Sequence, residues 1–124
     1  MFQSILLPLS PRPLTKATVE TVQSLAVSSD SRVVLLRMVD GQLSAKPGTR
    51  SADPELLGLR RRFDAVGVAN RVVERAGLEK MMGSAGLIAE VAAELNVDVI
   101  VMGGSGVNQV IELASCAVLL VPSS

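Results

Sequence analysis

The apolar positions of this chain fall into short runs that alternate with stretches of helical spacing. Ser4 to Leu9 is an apolar run closed by Ser-Pro-Arg-Pro; it is too short for a helix and bounded by breakers, which predicts a buried strand. Leu14, Thr18, Val22 and Leu25 then recur at helical spacing, with Pro11 or Pro13 suited to the first turn. Arg32 to Val39 is rich in β-branched residues and continuously apolar at its centre, the pattern of a strand covered on both faces. Asp40 to Ala52 carries turn residues and no period, and is read as a loop.

Asp53-Pro54-Glu55 marks a helix start, with a capping carboxylate, a proline at the first helical position and an acid near the positive end of the helix dipole. Leu56, Leu59, Phe63 and Val66 define its expected buried stripe. Asn70 to Glu74 reads as a third strand, while the methionines of Arg75 to Ser84 fit either a helix or a strand. Ile88, Val91, Ala92 and Leu95 give a third helix with Glu90 and Glu94 outward, and Val97 to Met102 gives a fourth strand. Val107, Val110, Ile111 and Ala114 line one face of a short fourth helix, and Cys116 to Val121 is a final strand stopped by Pro122.

Five strands alternating with four helices predict an α/β domain, a doubly wound parallel sheet with helices on both faces, because a parallel connection needs a right-handed crossover. In such sheets ligands lie beyond the carboxyl ends of the strands where the strand order reverses. The segments to inspect are therefore Ser10 to Pro13, Asp40 to Ser51 and Gly103 to Val107.

Composition narrows the chemistry. The 124 residues fit one domain, residues 1–124. Twelve basic and twelve acidic residues leave no net charge to draw the chain to nucleic acid or an anionic membrane. No His and a single Cys exclude Ser-His-Asp and Cys-His catalysis, the usual zinc sites and an internal disulfide within one chain. Trp and Tyr are absent, so the stacking aromatics of single-strand binding proteins are missing. The opening MFQSILLPL lacks the basic start of a signal peptide, and no apolar run approaches a membrane span; a soluble cytoplasmic protein is expected.

Gly103-Gly104-Ser105-Gly106 is the most informative local feature. It reads either as a tight strand-to-helix turn with Ser105 as cap, or as a backbone cradle whose free amides hold an anion. It is not a dinucleotide fingerprint, since it follows the fourth strand and Gln109 stands where Gly or Ala is required; no P-loop motif occurs either. Cys116 is expected to be a small buried hydrophobe. Arg60-Arg61-Arg62 reads as a solvated helix face, Lys46 to Arg50 as a flexible basic loop, Asp98 as a strand-entry residue and Asp40 as a strand-exit one.

In this order the segments resemble the universal stress protein family. Ile5-Leu6-Leu7-Pro8-Leu9-Ser10 is similar to that family's opening strand, where the last position is Asp, and Ser31 to Leu36 aligns with its second strand. Ile88 to Met102 with Gly103 is similar to "I-x-x-x-A-x-x-L-x-x-D-x-I-V-M-G", and Val110 to Val121 to "V-L-x-x-A-x-C-P-V-L-V-V". The resemblance implies the adenine nucleotide alpha hydrolase-like arrangement, a five-stranded sheet in the order 3-2-1-4-5. It also implies a two-fold dimer in which the last strands meet antiparallel.

ATP-binding members carry G-x2-G-x9-G-[ST] after the fourth strand. Here Gly103 and Ser105-Gly106 match its two ends, but about ten residues between them are missing. The Asp that meets the nucleoside is replaced by Ser10, and Gly77 to Met82 is a further departure. The expected function is thus a non-catalytic regulatory or interaction module without a cofactor. The alternative is a sensor holding ATP, AMP or another small anion in a reduced site of Ser10, Val39 to Gly41, Gly103, Gly104, Ser105 and Gly106. The expected partner is a second copy, docked through Ala117, Val118, Leu119, Leu120 and Val121, an edge strand with no charge, bulge residue or internal proline to guard it. An unknown protein partner is a further possibility.

Overall fold

The computed structural model describes residues 3–9, 15–39, 54–76, 83–102 and 107–121. In chain order these form β1 (Ser4–Pro8), α1 (Lys16–Ser29), β2 (Arg32–Val39), α2 (Pro54–Ala65), β3 (Asn70–Ala76), α3 (Gly83–Glu94), β4 (Val99–Met102), α4 (Val107–Leu113) and β5 (Ala117–Leu120). All five strands are parallel, in the order β3-β2-β1-β4-β5. The predicted fold class and strand order are those found.

Alternation along each strand explains the continuous apolar runs. Ile5, Leu7, Val33, Leu35, Val99 and Val101 face one cluster with Val19, Val22 and Ala26 of α1 and Leu56, Leu59 and Phe63 of α2. The intervening Leu6, Val34, Leu36, Val73 and Ile100 face the other, with Ile88, Val91 and Ala92 of α3 and Val110 of α4. Both faces of the central strands are covered, so neither set of positions can be polar.

Local chemistry sets the element ends. The hydroxyl of Thr15 accepts the Thr18 N–H at 3.1 Å, which makes Thr15 the cap of α1. Leu14 and the two prolines expected near the first turn precede that cap and lie outside the described residues. α1 ends on Asp30 at φ 54°, whose N–H donates to the Ala26 carbonyl. Beyond α2, Gly67 adopts φ +76°, and the Val68 N–H donates to the Phe63 carbonyl at 2.9 Å.

A Cβ placed on Gly67 would meet nothing within 4 Å, so only the backbone conformation resists substitution there. Gly67→Ala is expected to cost about 1 kcal/mol, the penalty of a side chain in the left-handed region. A urea titration should show a lower midpoint at unchanged slope; an unchanged midpoint would contradict this account.

Several boundaries differ from the sequence reading. β3 runs on to Ala76 and α3 begins at Gly83, which resolves the two ends of the ambiguous stretch; residues 77–82 lie outside the described set. β4 starts at Val99 rather than Val97 because the Val97 N–H closes the end of α3 on the Ala92 carbonyl, with Asn96 at φ 54° between them. Val66 is 43% exposed, since α2 stops one residue earlier and carries it off the buried face. Ile111 is 52% exposed, whereas its neighbour Val110 is buried against the core. Asp98 does act at strand entry: its Oδ2 accepts from the N–H groups of Gln3 at 2.7 Å and Ser4 at 3.0 Å.

Candidate functional site

The strand order reverses between β1 and β4, so the ligand edge expected for this topology lies at their carboxyl ends. The Leu9 N–H donates to the Leu36 carbonyl and the Val121 N–H to the Met102 carbonyl, both at 2.9 Å, which aligns the ends of neighbouring strands. Leu9 and Met102 are half-buried there and pack against opposite faces of the sheet. In the first turn of α1, Thr18 is buried, and its hydroxyl shares a 2.8 Å hydrogen bond with the hydroxyl of the Thr15 cap.

The sequence-predicted binding residues Ser10, Gly103, Gly104, Ser105 and Gly106 lie outside the described residues, as do Asp40, Gly41 and the basic stretch Lys46 to Arg50. The described elements fix where these segments start and finish. Ser10 follows the carboxyl end of β1, residues 40–53 follow β2, and residues 103–106 join β4 directly to α4. Parallel pairing places those three strand ends at one edge of the sheet. Among the described residues, no group of three or more His, Cys, Asp or Glu could hold a metal ion.

Cys116 stands immediately before β5 and is half-buried, packed against the α3 and α4 side of the sheet; it is less enclosed than the sequence suggested because β5 is an edge strand. Burial, and secondarily the Asp98 carboxylate, push its thiol above the ordinary value. The neutral thiol is favoured in the folded protein, so native labelling by a thiol reagent should be slow at neutral pH and should still be accelerating above the ~8.5 of a free cysteine. Labelling in denaturant should be faster and level off earlier. Native labelling that levels off below pH 8 would show the thiol to be activated instead.

The arginines of α2 also have defined roles. Arg60 Nε donates to Asn70 Oδ1 at 3.0 Å, Arg62 Nε donates to the Gln23 side chain, and Arg61 is exposed. Arg60, Arg61 and Arg62 are all exposed, which agrees with a solvated face, and two of them tie α2 to β3 and α1. Sequence spacing missed those ties, because both partners are distant polar residues without a helical period.

The universal stress protein family model matches residues 1–122. The chain belongs to the universal stress protein family. A universal stress protein from Synechocystis is 30% identical over 141 residues, covering 98% of this chain and 87% of the relative. That span exceeds the 124 residues present here, so the relative carries residues with no counterpart in this chain. Among solved structures, a family member from Burkholderia pseudomallei is 25% identical with a TM-score of 0.70, covering 98% of this chain and 97% of that one. The universal stress protein of Archaeoglobus fulgidus in complex with dAMP matches the fold at a TM-score of 0.74 and 16% identity, covering 96% of this chain and 97% of that one. A further universal stress protein, in complex with cAMP, matches at a TM-score of 0.72 and 17% identity, over 99% of this chain and 98% of that one. Among the described residues no helix is long and apolar enough to cross a membrane.

Proposed function

We propose that this universal stress protein is a non-catalytic regulatory or interaction module that works as a homodimer and has given up the family's ATP-binding loop. The observation that carries this reading is the length of the β4 to α4 connection: β4 ends at Met102, α4 begins at Val107, and four residues join them. The glycine and hydroxyl pattern of ATP-binding members needs more than a dozen residues after the same strand. Ser10 in place of the acid after β1 removes a second ligand element.

The dimer is supported by the contrast between the two edges of the sheet. β3 carries Arg71, Glu74 and Arg75, whereas β5 is Ala-Val-Leu-Leu with Leu119 and Leu120 exposed. Exposed Ile111 and Leu113 of α4 add apolar surface on the element that precedes that edge.

A second reading is favoured by the relatives solved with dAMP and cAMP: a sensor for an adenosine monophosphate, in which a short anion cradle at Gly103 to Gly106 suffices for one phosphate. The two readings part on nucleotide content and thermal response. The regulatory module should purify without adenine and melt at the same temperature with or without millimolar Mg-ATP or AMP. Stabilisation by AMP that Gly104→Val abolishes would establish the sensor.

A further inference from the structure

At the opposite edge of the sheet, where the strands begin, a polar concavity of about 230 Å³ opens between β1, β2, β3 and the end of α3. Register and alternation assemble it. Ser4 of β1 stands opposite Arg32 of β2, and Arg71 of β3 stands opposite Val34, two residues on from Arg32. Leu6, Val34 and Val73 face the cluster that contains α3, so Ser4, Arg32 and Arg71 project to that same side. Among the described residues, Asn96, just past α3, and Gln3 add to the polar lining.

The charges in this concavity are unevenly engaged. Asp98 lines it as well, but its Oδ2 is held by the N–H groups of Gln3 and Ser4. Arg32 and Arg71 are exposed and, among the described residues, have neither an ion pair nor a side-chain hydrogen bond, unlike Arg60, Arg62 and Arg75. Among the described lining residues, two guanidinium groups against one carboxylate leave an excess of positive charge beside the amide and hydroxyl donors of Asn96, Gln3 and Ser4.

We propose that this concavity is an oxyanion site for a single phosphate group, free or as the end of a small phosphomonoester. Guanidinium forks match the paired oxygens of phosphate geometrically. A concavity of about 230 Å³ is ample for one phosphate group. The site lies at the other end of the strands from the Gly103 to Gly106 segment and does not rest on the function proposed above.

The test is calorimetric titration of the intact protein with inorganic phosphate, and separately with glycerol phosphate, at constant ionic strength in a buffer without oxyanions. Saturable binding at millimolar concentration is expected, and the tighter of the two ligands identifies the source of the phosphate. Arg71→Ala should weaken binding at least about tenfold, as loss of a charge-assisted contact does, and Arg71→Lys by less. Arg61→Ala removes the same charge from α2 and should leave binding unchanged. No saturable binding, or equal weakening by Arg61→Ala, would overturn the proposal.

Discussion

Freshly purified protein is expected to show no absorbance peak near 260 nm, and millimolar Mg-ATP is expected to leave its melting temperature unchanged. With neither Trp nor Tyr in the chain, absorbance at 280 nm is close to nil, so one adenine per chain would dominate the ultraviolet spectrum. A hydrogen bond to a charged phosphate is worth roughly 1.5–3 kcal/mol, and losing three with the shortened loop removes on the order of 5 kcal/mol. That converts a micromolar site into one weaker than millimolar. An intact micromolar site would gain about 4 kcal/mol of stability at 1 mM ligand, which for a domain of this size raises the melting temperature by more than about 10 °C. The two outcomes are therefore far apart. A rise of several degrees, lost in Gly104→Val, would overturn the regulatory reading.

The fold was legible because its central strands are covered on both faces. Ile5 to Leu7, Val33 to Leu36 and Val99 to Val101 are buried without a break, and such runs separated by helical periods leave a parallel sheet as the economical solution. The misreadings fall where an apolar residue performs a local task instead of joining the core. Val97 closes α3, Val66 follows the last turn of α2, and Ile111 sits on a helix too short to bury a second row. The end of β3 was obscured for the opposite reason. Arg75 is a charged residue inside an edge strand, held by Glu94 of α3 at 2.6 Å, and hydrophobic pattern alone does not register such a pair.

The candidate site was legible only as a place. The sheet order fixes the carboxyl ends of β1 and β4 as the edge to which Ser10 and Gly103 to Gly106 connect, while those residues themselves lie outside the described set. The arginine pair at the other edge left no mark in the sequence. Arg32 and Arg71 are 39 positions apart and come together only through the pairing of β2 with β3.

Leu119→Lys is expected to convert a dimer into a monomer, as read by light scattering at micromolar concentration. Leu119 is 38% exposed on the α1 face of the last strand, itself an edge strand, and with Thr21, Ser24 and Leu25 of α1 it lines a shallow groove of about 520 Å³. A second copy related by a two-fold axis presents the same strand antiparallel, so the free N–H and C=O groups of each edge find partners in the other. The symmetry makes one substitution act twice. Each buried leucine is worth roughly 1.5–3 kcal/mol, so losing two weakens association by a factor on the order of a hundred to ten thousand, before the cost of desolvating two ammonium groups. Leu57→Lys, which adds the same charge in place of an exposed leucine on α2, should leave the dimer intact, which separates a specific interface from a general effect of surface charge. A wild-type protein that scatters as a monomer, or a Leu119→Lys variant that stays dimeric, would remove β5 from the interface and leave its exposed leucines for a different partner.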